Sequence, residues 1–377
     1  MLHWRITGPI LMTADPVGGV WQYALELCRQ LAASDVNVVL ASMGRQLDRN
    51  ERASVLGLQN VELCESAYKL EWMNEPWSDV EEAGRWLLHL ESRFRPSLIH
   101  LNQYSHGALP WKAPCLVVGH SCVYSWFEAV KSSPPGPEWR SYKRAVRAGL
   151  QSADLVTAPS RSMLQSLQRH YGTFAAAEPI YNGRDDTSFA PGKKEPFIFT
   201  AGRLWDEAKN IASLESVGGK IPWPIYAAGE SRKPDDTQVL LAGMTLLGRL
   251  SSETLAEWLS RAAIFISPAK YEPFGLSALE AALSGCALIL GDTASLREIW
   301  GDAAFFVRPD DPEKIRTSLL ELIGNLSLRE DFSRRARSRA RLFTTERMAQ
   351  GYMALYDELA WPQRSRVSED FTRSHYS

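Results

Sequence analysis

The chain has 377 residues, of which 45% are hydrophobic and 23% charged, proportions that are ordinary for a soluble globular protein. Its formal net charge of −2 excludes the general electrostatic attraction that nucleic-acid-binding proteins use, so no nucleic-acid partner is expected. Its apolar runs are far shorter than the ~20 residues that span a bilayer, and no signal peptide is visible at the N-terminus. The five cysteines form no C-x-x-C pair, so we expect reduced thiols and a cytoplasmic protein.

Strand and helix patterns alternate along the chain in two series. The first series predicts strands near residues 5–8, 36–41, 61–64, 98–101, 115–119 and 155–158, with helices at 20–32 and 138–150. The second series predicts strands from residue 197 onward and near 225–228, 245–247, 263–267, 287–290 and 304–307. Two such series indicate an α/β protein with two Rossmann-like, doubly wound parallel-sheet domains.

The connecting and terminal segments complete this organisation. Proline, glycine and lysine cluster without apolar periodicity at residues 186–196, which predicts a boundary between the two domains. A last helix is predicted at residues 345–359. The polar tail at 362–377 is expected to be mobile.

The segment GRLWDEAKN follows an apolar strand that ends at residue 201 and supplies two cations. Arg203 lies just past the strand end, and Lys209 is predicted to open the next helix. A planar guanidinium and a compact ammonium, one loop apart, suit a diphosphate. Surface salt bridges from these two side chains to Asp206 or Glu207 are the alternative interpretation.

The segment YEPFGLSALE places two carboxylates on either side of a turn. Glu272 is predicted at a strand end, and Glu280 about one turn inside the following helix. The backbone N–H groups of Phe274, Gly275 and Leu276 would be unpaired donors at that helix N-terminus, which attracts phosphate. Because carboxylates do not bind phosphate, we interpret one glutamate as a ligand of ribose hydroxyls and the other as a ligand of sugar hydroxyls. The combination is typical of a nucleotide-sugar site.

Together these motifs resemble those of the retaining nucleotide-sugar glycosyltransferases of the GT-B fold, family four (glycosyl transferases group 1). The family's Glu–seven residues–Glu pattern corresponds to Glu272 and Glu280, and its Arg and Lys pair corresponds to Arg203 and Lys209. Further resemblances, in chain order, are the Gly-rich loop at Gly18 and Gly19, His120 after a strand, the AD-strand-S element at residues 153–160, and the Asn182-Gly183 turn. The resemblance extends over nearly the whole chain.

This resemblance implies an N-terminal acceptor-binding domain at residues 1–185, a C-terminal donor-binding domain at 186–344, and a helix at 345–361 that crosses back to the first domain. It implies sugar transfer with retention of anomeric configuration, with a UDP-sugar favoured as donor. The acceptor would be a saccharide, a lipid-linked saccharide or a small molecule, in polysaccharide or glycoconjugate biosynthesis.

The same resemblance assigns roles to individual residues. Catalytic roles are implied for His120, Arg203, Lys209 and Glu272. Donor binding is implied for Gly18, Gly19, Arg203, Lys209, Arg249, Leu250, Glu272, Phe274, Gly275, Leu276 and Glu280. We expect no cofactor and no metal, because the cationic side chains and amides would stabilise the departing diphosphate.

Two other functions stay open from the sequence. A non-catalytic nucleotide-sugar-binding or scaffold protein of the same fold would be expected to lack some of the four charged residues of the two motifs, yet all four are present. A nucleotide-sugar epimerase would convert its donor without any acceptor.

A separate basic pattern lies in the first half of the chain. Arg140, Lys143, Arg144 and Arg147 recur at steps of three and four, which places them on one helical face. The face is either a solvated basic helix or a docking face for an anionic lipid or acceptor. The second interpretation would bring the protein to the inner face of a membrane as a peripheral protein.

Overall fold

The first of two parallel β-sheets has seven strands. The structure is a computed structural model that describes residues 6–233 and 237–360. The strands are β1 (Ile10–Ala14), β2 (Val38–Ser42), β3 (Val61–Glu65), β4 (Leu98–Leu101), β5 (Cys115–Val118), β6 (Leu155–Ala158) and β7 (Ala177–Pro179). Their order in the sheet is β3-β2-β1-β4-β5-β6-β7, and every neighbouring pair runs parallel.

The second sheet has six strands and repeats this winding. Its strands are β8 (Glu195–Ala201), β9 (Ile225–Ala228), β10 (Thr245–Gly248), β11 (Ala262–Ser267), β12 (Ala287–Gly291) and β13 (Phe305–Val307). They are ordered β10-β9-β8-β11-β12-β13 and all pair in parallel. The predicted α/β class with two parallel-sheet domains is therefore confirmed. In each sheet the winding reverses between two adjacent strands, β1 and β4 in the first and β8 and β11 in the second. Such a reversal opens a crevice at the carboxyl ends of the strands.

Helices cover the faces of both sheets. They are α1 (Gly19–Ala32), α2 (Arg49–Leu56), α3 (Trp77–Phe94), α4 (Val123–Lys131), α5 (Arg140–Ser152), α6 (Arg161–Tyr171), α7 (Ser252–Arg261), α8 (Leu276–Leu283), α9 (Ala294–Trp300), α10 (Pro312–Gly324), α11 (Leu326–Ala340) and α12 (Thr345–Ala360). Within residues 6–233 and 237–360, no helix has the length and apolar character needed to cross a bilayer.

The last helix, α12, packs with the first sheet, although it follows the second sheet in the chain. It lies against α1, and its buried Tyr352 and Tyr356 belong to the same hydrophobic cluster as β1 and β2. The hydroxyl of Tyr356 lies 2.6 Å from Nδ1 of His100 on β4. Burial lowers the pKa of His100 to about 3, so its imidazole is neutral at pH 7. Residue 361 and the tail at 362–377 lie outside the described residues.

The two domains also touch through hydrogen bonds. Glu298 of α9 accepts from the backbone N–H groups of Arg161 and Ser162, each at 2.8 Å. A carboxylate is favoured at this place because it faces the N-terminus of α6. Nearby, the hydroxyl of Ser160 donates to the backbone carbonyl of Pro273 at 2.7 Å. These contacts hold the end of β6 against the loop that follows β11.

Three details of the sequence prediction are wrong. The first strand begins at Ile10 and not within residues 5–8, because Pro9 has no N–H for the sheet and the apolar run follows it. The short edge strand β7 was not predicted, since its three residues carry no apolar alternation. Lys209 does not open an α-helix: it lies in a run of turns before a single 3₁₀ turn, Ile211–Leu214.

Candidate functional site

Arg203 lies at the carboxyl end of β8, where its guanidinium is held by a neighbouring carboxylate. Its Nη2 and Nε lie 2.6 and 3.2 Å from Oδ2 of Asp206. Burial opposes ionisation of Asp206, but the charge of Arg203 and the hydrogen bonds outweigh it and lower the pKa. The Arg203 side chain is 43% exposed, whereas that of Asp206 is 6% exposed. The buried carboxylate therefore orients a guanidinium that a ligand can still reach.

Lys209 and Glu272 meet directly, although 63 positions separate them in the sequence. Nζ of Lys209 forms an ion pair with Oε2 of Glu272, and both side chains are largely buried. The pair forms because β8 and β11 are neighbours, so that the loops after them converge. The hydroxyl of Ser295 donates to the backbone carbonyl of Glu272 at 2.5 Å and fixes the loop. The structure thus brings these two predicted site residues into direct contact.

The N-terminus of α8 lies beside this ion pair. Gly275 precedes the helix with a φ of 94°, a left-handed conformation that a glycine adopts without strain. Among the described residues, no side chain caps the helix, so its first N–H groups stay available to an anion. Phe274 is buried against Phe343 with ring centroids 5.7 Å apart. Glu280 lies inside α8 and is 8% exposed.

The Gly-rich loop of the first domain reaches this part of the second domain. Gly18 has a φ of 95°, and a Cβ added there would lie 3.0 Å from Nη1 of Arg203. A Cβ added at Gly19 would lie 3.7 Å from Cδ1 of Leu276. The structure therefore places the two glycines, the arginine and the start of α8 on opposite sides of one narrow crevice.

His120 follows β5 on the first-domain side, and a neighbouring amide fixes its tautomer. Its Nε2 lies 2.7 Å from Oδ1 of Asn102, and Nδ2 of the same amide donates to the carbonyl of Thr13 at 2.6 Å. Because Oδ1 of Asn102 can only accept, Nε2 of His120 carries the proton. Burial lowers the pKa of His120 to about 3, so the ring is neutral and its Nδ1 is an acceptor. The ring of Tyr23 packs edge-on at 4.6 Å and supports this orientation.

Asp15 is a site residue that the sequence prediction missed. It follows β1 and is 5% exposed, and its Oδ1 accepts the N–H of Val17 at 2.9 Å. Burial raises its pKa to about 7; the charge of Glu71 raises it further, whereas the Val17 hydrogen bond and the charge of Arg203 lower it. A carboxyl group that titrates near neutrality at a strand end in the crevice is a candidate for binding or proton transfer. The only sign of this residue in the sequence was its position, three residues before the predicted site glycine Gly18.

Arg249 and Leu250 lie on the loop after β10. Leu250 is half-buried against the hydrophobic cluster beneath β8 and β11, whereas Arg249 is exposed. The pKa of Asp48 in the first domain is lowered, chiefly by the N–H of Glu51 and to a small extent by the charge of Arg249. Arg249 therefore lies on the side of the second domain that faces the first.

The basic residues of α5 are not part of this crevice. Arg140, Lys143, Arg144 and Arg147 line a surface pocket of their own on the first domain, and Nζ of Lys143 lies 4.8 Å from the ring centre of Tyr124. As for metals, the described part of the chain contains no group of three or more His, Cys, Asp or Glu side chains arranged to hold an ion.

Comparison with known families divides the chain into the same two halves. Residues 17–188 match the model described as Glycosyltransferase Family 4. Residues 184–339 match the model described as Glycosyl transferases group 1.

A curated relative resembles the chain in sequence, and two solved structures share its fold. Sulfoquinovosyl transferase SQD2 from Arabidopsis thaliana is 27% identical over 286 residues, covering 65% of this chain and 53% of that protein. The chain thus spans about half the length of this curated relative. A sucrose-phosphate synthase from Thermosynechococcus elongatus has a TM-score of 0.76 at 18% identity and covers 93% of this chain and 99% of its own. HepE from Anabaena, solved with UDP and glucose, has a TM-score of 0.73 at 14% identity, and the match covers 93% of this chain and 100% of HepE.

Proposed function

We propose that this chain is a group 1 glycosyltransferase of the GT-B fold and that it transfers a sugar from a nucleotide sugar to an acceptor hydroxyl. The proposal rests on the cluster of charged side chains in the crevice between the two domains. Lys209 and Glu272 pair beside the start of α8, and Arg203 stands opposite the Gly18 loop. Such a site supplies positive charge to a diphosphate and carboxylates to hydroxyls.

The departing diphosphate would be stabilised by three kinds of donor. Arg203 and Lys209 supply positive charge, and the N–H groups around Phe274, Gly275 and Leu276 add the dipole of α8. Breaking the bond between sugar and phosphate leaves a developing anion on the phosphate and a cationic, oxocarbenium-like sugar, as in glycoside hydrolysis. Donors that are already oriented toward that anion lower the barrier. Loss of one such donor typically costs ~10²–10³ in rate.

The glutamates and the histidine would orient the two ends of the donor. Glu280 would hold the ribose hydroxyls and Glu272 a hydroxyl of the transferred sugar. The glycines Gly18 and Gly19 let the backbone of the first domain approach the donor closely. Nδ1 of the neutral His120 would accept a hydrogen bond from a hydroxyl of the transferred sugar or of the acceptor.

The same proposal extends to the donor, the acceptor, the stereochemistry and the metal requirement of the reaction. We favour a UDP-sugar, which agrees with the UDP in the similar HepE structure, and an acceptor that is a saccharide, a lipid-linked saccharide or a small molecule. We propose retention by a front-face route in which leaving-group phosphate takes the acceptor proton. NMR of the product would contradict this by finding inverted configuration. No metal is required in this scheme, and activity that EDTA abolishes and magnesium restores would contradict that point.

The basic face of α5 supports a second, peripheral contact, with an anionic membrane surface. The four cations line one surface pocket. Trp139, which directly precedes α5, packs against Phe127, and Phe127 packs against Trp126. Anionic lipid would attract the cations, and aromatic rings are favoured at the interface. Flotation with vesicles that contain anionic lipid at low salt tests this contact. We expect association that replacement of the four cations by Gln removes, and failure of the unaltered protein to float would contradict it.

A thermal-shift screen against UDP-, GDP- and ADP-sugars tests the proposed function. Ligand at 100 times its Kd should stabilise the protein by ~2.7 kcal/mol, which is a shift of a few degrees. We expect a shift with one nucleotide class that the double variant Arg203→Ala, Lys209→Ala loses. The control Arg316→Ala, Arg334→Ala removes two cations from helices α10 and α11 and should keep it. No shift with any of the three donor classes would contradict the proposal.

A further inference from the structure

Arg184 lies where the two connections between the domains run side by side. It follows the Asn182-Gly183 turn, and its backbone N–H donates to the carbonyl of Phe343 at 3.1 Å. A Cβ added at Gly183 would lie 2.1 Å from the carbonyl oxygen of Thr344, so the two connections are in close contact. Only 6% of Arg184 is exposed, which is unusual for an arginine.

The buried guanidinium joins one carboxylate from each domain. Its Nη1 donates to Oε1 of Glu26 on α1 at 2.8 Å. Its Nε lies 2.8 Å from Oε1 of Glu280 on α8. Both glutamates are 8% exposed, and the ring of Phe189 packs 5.1 Å from the guanidinium carbon. Arg184 is therefore the shared partner of a carboxylate in each domain.

The ionisation of Glu280 depends on this contact. Burial raises the pKa of Glu280 above its ordinary value, the charge of Arg184 opposes that rise, and the charge of Glu26 adds to it. Two carboxylates in one buried place repel each other unless a cation lies between them. Without Arg184, Glu280 would be left as an uncompensated buried charge and would take up a proton or turn away.

We propose that Arg184 is a positioning residue that keeps Glu280 ionised and aimed at the ribose hydroxyls of the donor. The proposal rests on the role of Glu280 in the proposed function. Arg184 engages Oε1, so Oε2 is the oxygen that would receive the ribose hydroxyls. Because the same guanidinium is bound to Glu26 of the first domain, ribose recognition by the second domain depends on the relative position of the two domains.

The test compares UDP with 2′,3′-dideoxy-UDP, which lacks the ribose hydroxyls. Hydrogen bonds to a charged group correspond to roughly a 10- to 100-fold preference for UDP in the unaltered protein. Arg184→Met keeps the length and removes the charge, and we expect the two Kd values to converge to within about threefold, a tenfold change being 1.4 kcal/mol. A merely structural role would weaken both ligands equally and leave their ratio unchanged.

Further variants keep the test decisive if Arg184→Met does not fold. Arg184→Lys supplies one ammonium for two carboxylates and should lower the preference. Glu26→Gln removes the competing charge but keeps an oxygen that can accept from Arg184, so it should leave the preference at least as high. Arg29 also pairs with Glu26, at 3.3 Å, but on the surface, so Arg29→Met is the matched control and should keep the full preference. Folded variants of Arg184 that keep the full preference would overturn the proposal. So would an unaltered protein that binds UDP without discriminating, whereas failure to bind any nucleotide would refute the proposed function itself.

Discussion

Replacing Asp15 with asparagine should make the stability of the protein less dependent on pH. The pKa of Asp15 is about 7 in the folded protein and 3.8 in the unfolded chain, because burial disfavours its charge. Its folded pKa is raised, so the stability it contributes is fully present below pH 3.8 and is lost as pH rises to about 7. Each pH unit inside that window costs about 1.4 kcal/mol of unfolding free energy.

The size of the stability change follows from the part of the range between the two pKa values of Asp15 that lies above pH 5. Two units separate pH 5 from pH 7, so the unaltered protein should lose about 2.7 kcal/mol between pH 5 and pH 8 through this group. Asp15→Asn cannot ionise, and its amide oxygen can still accept the N–H of Val17. Its stability relative to the unaltered protein should therefore rise by about 2.7 kcal/mol over the same range.

Urea unfolding followed by tryptophan fluorescence at pH 5, 6, 7 and 8 measures this difference, since the chain contains 13 tryptophans. Asp35→Asn is the matched control, because Asp35 is exposed in the same domain and asparagine also tolerates its left-handed backbone. The control should show no such pH dependence. An Asp15→Asn variant whose relative stability is the same at pH 5 and pH 8 would refute the reasoning.

Three further predictions concern the crevice. Lys209→Ala should lower kcat/KM by ~10²–10³ in initial-rate assays, because it removes a donor to the departing diphosphate; a loss below tenfold would speak against that role. Gly18→Ala should cost about 1–3 kcal/mol of unfolding free energy, because a φ of 95° with a ψ of −148° is a backbone conformation nearly confined to glycine. Its Cβ would lie 3.0 Å from Nη1 of Arg203 and should weaken the thermal shift by donor; an unchanged shift contradicts the close approach. Asn102→Asp should raise the pKa of His120 in a ¹⁵N NMR titration, because a carboxylate stabilises the imidazolium; an unmoved pKa would rule out the contact.

The strands could be predicted from the sequence because buried parallel strands are continuous apolar runs. The run at residues 262–266 became β11 for this reason, since both of its faces are covered. The helix expected at Lys209 failed because a side chain competes with the backbone there. Oδ1 of Asp206 accepts the N–H of Ala208 at 2.9 Å, which closes a turn in place of a helical bond.

The charged motifs of the site were visible because each lies within one short segment. What could not be predicted is which distant group holds each residue. Asn102, which sets the tautomer of His120, is 18 positions away, and Arg184 lies 158 positions from Glu26. Arg184 itself carried no signal, because a single arginine beside an Asn-Gly turn is ordinarily a surface residue. Its burial depends on two domains and two connections that only the fold brings together.

The return of α12 to the first domain has a consequence for how the chain is made. The cluster around β1 and β2 includes Tyr352 and Tyr356, and His100 on β4 is hydrogen-bonded to Tyr356. During synthesis these strands leave the ribosome long before the last helix does, so they must wait with an open apolar face while the second domain folds. A stop codon just before residue 345 would therefore cost the first domain its final layer, and it would leave the whole second domain intact.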